Sequence, residues 1–554
     1  MISGSVWWGT PRARRFAVAA GVLLWAALFL PNLRTNPNWY GDEGEWMDMS
    51  WTLIHGTPRA GPVTWDGVFP YSYPPLYGVV NGALLRVFGE DIVVGRALGA
   101  FTALAAGGLL FWIGTRLRNE TFGFLCAAAF LTYSEVNINF RMVRSHPMAG
   151  TLALASVGFL VRYVQEKRLR DAAWAGVFCA LATATHYFTY PLIGVVVVTV
   201  GAENWRDWKS PRAWRDVIVA GALAGAYAGL FVLWYCAVHG WTHLMTQVGR
   251  LTSVAGNEAR PTFGGEVERF VGNVLALGFQ TPTQGPPLPW SGHDWWLTVA
   301  TIGFVFLPTR DWRLRLWVPF WLLVLMYGVF KKLNNVPLFF YPATIFLPLM
   351  AVGFAGVLAW AGEAAKRLAP KSGTGATAVV AAVVLGGFAL QSAQGAWGHF
   401  HTRIDMWTQQ SVPDAEAAMA YVNAHTTRDD FVIVPKQIYW MPHCDRRSML
   451  TFCARYNGVD NDMPVPAHIP RDLYWFDCRL EQAKFLVLEY GIEERTLADG
   501  RRVQLPIGID AVYTMGLRGV REILQQVQQE KWPAVFQQGA YVVLENPRFA
   551  KETK

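Results

Sequence analysis

The sequence predicts a polytopic α-helical membrane protein with a soluble α/β domain at its C-terminal end. Three observations carry that expectation. Of 554 residues, 53% are hydrophobic and only 16% charged, against about 25% charged in ordinary soluble domains. Apolar runs of roughly 17–25 residues, enough to span a bilayer as helix, recur up to position 397. Beyond 398 the runs shorten, and helix and strand patterns alternate.

The first apolar run, Phe16–Leu30, follows the basic stretch P-R-A-R-R at 11–15. No small-x-small cleavage pattern lies between it and Pro31-Asn32-Leu33, so it reads as a retained signal anchor. Further runs lie at 92–115, 121–138, 147–164, 172–202, 217–238, 294–308, 316–331, 337–360 and 375–397. Five basic clusters separate them: Arg116 and Arg118; Lys167, Arg168 and Arg170; Arg206, Lys209, Arg212 and Arg215; Arg310, Arg313 and Arg315; Lys366, Arg367 and Lys371. The positive-inside rule puts all five in the cytoplasm, so each interval must hold an even number of crossings.

Segment 172–202 must then be a hairpin, turning near Thr185–Pro191. The count comes to about eleven transmembrane helices, with the N-terminus cytoplasmic and the C-terminal domain outside. The division expected is a transmembrane domain over 1–397, with outer loops at 31–91 and 239–293, and a soluble domain over 398–554. In the latter, Pro413–Ala424 and Gly516–Glu530 read as helices, and Phe431–Val434, Phe485–Leu488 and Ala540–Leu544 as strands.

The net charge of +8 sits in these short clusters, with no basic stripe or binding motif. Nucleic acid is therefore not an expected partner, whereas membrane lipids are. Cys126, Cys179 and Cys236 fall in apolar runs and read as small core residues. Cys444, Cys453 and Cys478 fall in the polar C-terminal part, where a disulfide or, with His443, a metal site are both open readings.

One stretch breaks the apolar pattern. Between Trp39 and His55, Asp42, Glu43, Glu45 and Asp48 crowd into seven residues. Close carboxylates repel one another and are costly near a membrane, so the cluster calls for a reason. A plain reading is a capping box, with Asp42 at the N-cap and Glu45 three residues on, opening an interfacial helix. Its apolar face would be Trp46, Met49, Ser50 and Leu53, and Gly56 and Pro58 would stop it. Asp48 would face solvent or headgroups. The functional reading places Asp42 and Glu43 in an active site.

Asp42-Glu43-Gly44-Glu45-Trp46 resembles the Asp-Glu-Ala-x-Tyr motif in the first outer loop of GT-C glycosyltransferases. The branch it resembles is that of the bacterial protein mannosyltransferases and the lipid A aminoarabinose transferase. Tyr73-Pro74-Pro75-Leu76-Tyr77 is similar to that family's Lys-Pro-Pro-Leu stretch. Phe88-Gly89 and Gly95–Ala100 resemble the segment after it, Arg141–Pro147 its arginine-rich stretch, and Asn335–Pro342 its late tyrosine- and proline-rich run. Three positions depart: Tyr73 stands for the usual Lys, His146 for an Asp, and His186 where relatives often carry Lys.

The resemblance implies a GT-C-like transmembrane catalytic domain with a soluble outer domain. Its donor would be a polyprenyl-phosphate-linked sugar, and the acceptor a hydroxyl on protein, lipid or glycan. Transfer would invert the anomeric carbon at the periplasmic face of a bacterial inner membrane. Asp42 would be the base and Glu43 would orient the acceptor or tune its neighbour. Arg144 and Arg141 would meet the phosphate, with His146, His186, Arg96, Lys331 and Lys332 as further contacts. Tyr73, with Tyr71 and Tyr77, would offer a stacking platform. The resemblance fixes no cofactor, and leaves a divalent cation open.

Plainer readings accompany these. Each Arg can be a snorkelling anchor, His186 a satisfied turn histidine, and the lysines headgroup contacts. A transporter or flippase of a lipid-linked saccharide is the alternative from another class. It would place its ionisable groups near the bilayer midplane, and these carboxylates lie in an outer loop.

Overall fold

The computed structural model describes residues 11–39, 41–55, 74–242, 295–309, 311–330, 341–368, 373–400, 411–448, 480–489, 491–496, 502–507 and 518–549, with a few positions between 245 and 274. Helices α1 (Pro11–Phe29), α2 (Gly41–His55), α3 (Leu76–Phe88), α4 (Ile92–Leu117), α5 (Glu120–Leu131), α6 (Ser134–Phe140), α7 (Ser145–Glu166) and α8 (Leu169–Thr183) come first. Then follow α9 (Pro191–Glu203), α10 (Pro211–His239), α11 (Trp295–Gly303), α12 (Trp312–Phe330), α13 (Leu347–Leu368) and α14 (Gly373–Trp397). The C-terminal part holds α15 (Val412–Ala424), β1 (Phe431–Val434), β2 (Asp445–Ser448), β3 (Ala483–Glu489), β4 (Gly491–Thr496), β5 (Arg502–Ile507), α16 (Arg518–Gln529), β6 (Ala534–Gln538) and β7 (Tyr541–Glu545).

Contacts divide the chain into two units. The first comprises 1–33, 96–141 and 145–400. Segment 172–202 is the expected hairpin: α8 ends at Thr183, a 3-10 turn spans Tyr187–Thr189, and Pro191 opens α9. Pro at a first helical position sacrifices no hydrogen bond, which is why the chain can restart there.

Among the described residues, six helices are long and apolar enough to cross a membrane: α4, α7, α10, α12, α13 and α14. Helices α5 and α6, bent by 65°, make a seventh if counted as one span. The expected count of eleven goes beyond this. Helices α8, α9 and α11 have 15, 13 and 9 residues, short of the roughly 17 that cross a hydrocarbon core.

Close packing in this unit rests on small residues and stacked rings. A Cβ on Gly303 would overlap the Gly353 backbone, so α11 and α13 can touch only as glycines allow. Trp296 of α11 is fully buried, stacks on Tyr133 at 4.1 Å between centroids, and donates its indole N–H to the Ala129 carbonyl. Cys126 and Cys179 lie in this core, as small apolar side chains would.

The basic clusters meet at one end of the unit. Arg116 pairs with Glu166 at 2.5 Å, Arg118 with Glu363, and Arg212 donates to the Lys167 carbonyl. Glu203 is nearly buried and accepts from Lys167 at 2.7 Å, Arg313 at 2.9 Å and the Trp317 indole at 2.9 Å. Exposed Trp205, Trp208 and Trp214 lie there among Arg206, Lys209, Arg212 and Arg215, with centroids 5.9 and 6.0 Å apart. Aromatic rings mixed with cations have the make-up of an interfacial belt.

The second unit comprises 34–95, 142–144 and 401–554. Its five-stranded sheet runs β2-β1-β3-β7-β6, with β1 parallel to both neighbours and β7 antiparallel to both of its own. Strands β4 and β5 form a separate antiparallel pair. Ile523 and Val527 of α16 pack with Ile433, Leu486 and Trp532. Helix α2 lies against α3, where a Cβ on Gly82 would overlap the Ser50 carbonyl.

Replacing Glu203 by Ala takes the carboxylate from Lys167 and from the Trp317 indole N–H, and one of two carboxylates from Arg313, which keeps Asp311. Removing one partner of a buried pair costs about 3 kcal/mol or more, here discounted to roughly 1–2 kcal/mol because Lys167 and Arg313 keep access to water. The expected outcome is a lowered thermal midpoint of the purified protein by intrinsic tryptophan fluorescence, with Glu203→Gln losing less.

Candidate active site

Helix α2 begins at Gly41, so Asp42 and Glu43 lie inside its first turn. Asp42 is therefore not the N-cap that the capping-box reading expects. Both acids still gain from the positive end of the helix. The Glu45 side chain lies outside the described residues.

Asp42 Oδ2 pairs with Arg144 Nη2 at 2.9 Å. The Arg144 side chain is 1% exposed and that of Asp42 28%. A cation so deeply buried demands a counter-charge, and Asp42 supplies it. Glu43 is fully buried, and its Oε1 accepts from the backbone N–H of Val143 at 2.9 Å. Residues 142–144 thus hold both acids from behind, and of the three charged side chains only Asp42 keeps appreciable access to solvent.

Arg141 and Arg144 do not share a helix face. Helix α6 ends at Phe140 with Arg141 as its cap, and α7 begins at Ser145. Both arginines sit in the break, where a turn and bends in the backbone leave the Val143 amide to meet Glu43. That arrangement requires the 141–144 stretch to be non-helical, because a helical amide would be spent on its own turn.

The rest of α2 is enclosed. Trp46, Met47, Asp48, Met49 and Ser50 are all buried. The expectation of one apolar face and a solvent-facing Asp48 is corrected: α3 and the unit around it cover α2 on several sides. Ser50 Oγ accepts from Asn81 Nδ2 at 3.0 Å and donates to the Trp46 carbonyl at 2.6 Å. Trp46 meets the Tyr77 ring edge-on at 5.2 Å. Tyr77 is 1% exposed, so it fills the core and does not present a stacking face. Burial, and then the charge on Glu43, raise its phenol far above the usual range. Tyr71 and Tyr73 lie outside the described residues, as do Lys331 and Lys332.

The first unit holds the remaining expected residues. Arg96 of α4 is fully buried and donates Nη1 to the Leu33 carbonyl at 2.9 Å. Arg141, also fully buried, donates Nη2 to the Pro31 carbonyl and lies 5.3 Å from the Phe400 ring centroid. Burial, and then the positive charge of Arg96, lower the Arg141 pKa. Its Nε and Nη1 are buried with no hydrogen-bond partner among the described residues. Buried donors of this kind are costly to leave unpaired.

His146, in the first turn of α7, and His186 lie with ring centroids 4.1 Å apart, both buried. His186 Nδ1 accepts from the Phe188 amide at 3.2 Å, which makes it the cap of the 3-10 turn. That bond leaves Nδ1 unprotonated and Nε2 as the proton-bearing nitrogen of the neutral ring. The turn-histidine reading therefore holds for one nitrogen of His186.

Among the described residues no group of three or more His, Cys, Asp or Glu could hold a metal ion. Cys444 is buried and in no disulfide. Cys453 and Cys478 lie outside the described residues. The carboxylate that sequence reasoning set aside is Asp48, fully buried two turns into α2. Its place in a dense acidic run was the only signal for it.

No protein-family model and no curated protein sequence matches the chain. Solved structures do. ArnT from Cupriavidus metallidurans, crystallised with undecaprenyl phosphate, aligns over 97% of this chain and 98% of its own at TM-score 0.56 and 13% identity. Its apo state aligns over 96% and 97% at TM-score 0.56 and 12% identity. The apo oligosaccharyltransferase of Archaeoglobus fulgidus aligns over 91% of this chain and 76% of its own at TM-score 0.50 and 11% identity. These likenesses establish the architecture: the chain has the fold of ArnT and of the Archaeoglobus fulgidus oligosaccharyltransferase.

Proposed function

We propose that this protein is a membrane glycosyltransferase that moves a sugar from a polyprenyl-phosphate carrier to an acceptor hydroxyl at the outer face of the membrane. The observation that carries the reading is Asp42: a carboxylate with solvent access, fixed by buried Arg144 in the first turn of α2. A base needs that combination of access and fixed orientation. The fold's occurrence in ArnT, a protein crystallised with undecaprenyl phosphate, supports a polyprenyl-phosphate ligand.

In this reading Asp42 takes the proton of the acceptor hydroxyl as its oxygen attacks the anomeric carbon. The bond from that carbon to the phosphate oxygen breaks, and the phosphate leaves with the electron pair. A single displacement of this kind inverts the anomeric centre. The family resemblance assigns the lipid phosphate to Arg144 and Arg141, and the buried, unpartnered Nε and Nη1 of Arg141 among the described residues support that role for Arg141. Glu43, committed to the Val143 amide, positions the turn that carries Asp42.

The test is transfer of a labelled sugar from synthetic polyprenyl-phosphate donors by the protein in proteoliposomes. Covalent transfer supports the enzyme; translocation without bond cleavage would make it a transporter. Asp42→Asn keeps an acceptor for Arg144 but cannot take a proton, so turnover should fall by about 10²–10⁴-fold. A fully active Asn variant would sink the base assignment.

Arg141→Gln should raise the donor KM about 10- to 100-fold, the equivalent of a charged hydrogen bond of about 1.5–3 kcal/mol. Membrane insertion should be unchanged; equal loss of insertion and donor use would mark Arg141 as an anchor. Glu43→Gln preserves the oxygen that Val143 donates to, so the purified variant should fold with turnover within about tenfold of wild type, whereas Glu43→Ala should lose both the amide bond and most activity.

A further inference from the structure

Within the second unit, the segment following β1 meets the helix that bears Asp42. Pro435 ends the strand, and Lys436–Ile438 form a 3-10 turn that packs against α2. Gln437, Ile438, Tyr439 and Trp440 are all buried. Trp440 sets its ring edge against Trp39, at 5.8 Å between centroids and 70° between planes. Trp39 is itself fully buried three residues before Asp42, and donates its indole N–H to the Arg34 carbonyl at 2.6 Å.

Both ends of this contact are tied down from the C-terminal domain. Gln437 Nε2 donates to Glu489 at the end of β3. Asn423 of α15 donates to the Met441 carbonyl at 3.2 Å and accepts from the His443 amide at 2.9 Å. The same helix reaches the chain entering α2, since Arg34 donates Nε to Glu416 at 2.6 Å and Nη1 to Asp91 at 2.5 Å. Burial opposes the Arg34 charge, yet those two carboxylates outweigh it and hold its pKa above the usual value.

We infer that residues 436–440 form a hook by which the C-terminal domain positions the Asp42 helix, with Trp440 and Trp39 as positioning residues. The inference rests on the reading of Asp42 as the base. Two features separate the hook from ordinary packing. Asp42 and Glu43 are held from 142–144 at their side chains, whereas the Trp39 indole ties the chain three residues before Asp42 to the Arg34 carbonyl and to Trp440. The Trp440 indole N–H, moreover, is buried without a partner among the described residues. Its contribution is the shape of its ring, so Phe should replace it and Ala should not.

The experiment compares the full-length wild type, Trp440→Ala and Trp440→Phe in nanodiscs, by steady-state transfer and by amide hydrogen exchange over 41–55. Displacing a reacting group by about 1 Å can cost about 10²-fold. Trp440→Ala should therefore lower kcat by about 10- to 100-fold, hold the donor KM within about threefold, and speed exchange over 41–55. Trp440→Phe should match wild type on all three.

Wild-type kcat in Trp440→Ala overturns the hook, and so does a kcat loss with unchanged exchange over 41–55. If Trp440→Ala cannot be purified in monodisperse form, Trp440→Leu decides on the same readouts. Should the wild type transfer no sugar from any polyprenyl-phosphate donor, the reading of Asp42 falls, and exchange over 41–55 alone decides whether the hook holds α2.

Discussion

The arrangement around Asp42 depends on one electrostatic requirement: Arg144 is buried almost completely and cannot be left without a negative partner. The cost of an uncompensated buried charge is about 3–5 kcal/mol, comparable with the whole stability of many domains. Asp42 meets that requirement from the first turn of α2, at a distance of 102 residues along the chain. Glu43 then satisfies the Val143 amide on the same short stretch. Of the four acids within seven residues, the three whose side chains are described have separate surroundings. One faces a guanidinium, one a backbone amide, and Asp48 is buried farther along the helix.

The first unit follows a different logic, in which cations are sorted by what surrounds them. At one end, Arg116, Lys167 and Arg313 each meet a carboxylate, and aromatic rings ring the exposed bases. Arg96 and Arg141 instead meet backbone carbonyls and one another's field. Carbonyls orient a guanidinium without cancelling its charge.

Much of this was legible in the sequence, and the reasons differ by level. Hydropathy located the apolar helices, and the alternation of basic clusters with apolar runs required the turn between Thr183 and Pro191. Local propensity marked α15, β1, β3, α16 and β7 within a few residues. The density of acids singled out Asp42 and Glu43. What local pattern does not encode is long-range partnership. Nothing near Asp42 announces Arg144, and nothing in the Trp46–Leu53 periodicity tells that α2 is covered on several sides, which is why Asp48 read as solvent-facing. The 65° turn between α5 and α6 is equally silent, since Thr132 and Tyr133 are ordinary residues for a continuing helix.

The pairing of Arg34 with Glu416 spans 382 residues. A ribosome adding about 5–20 residues per second needs on the order of 20–80 s to cover that interval. For that time the acid-bearing segment exists without the strands and helix that brace it. A nascent or truncated chain, already lodged in the bilayer, would carry Asp42 on an unsupported helix. Completion of synthesis thereby becomes a condition for a braced α2.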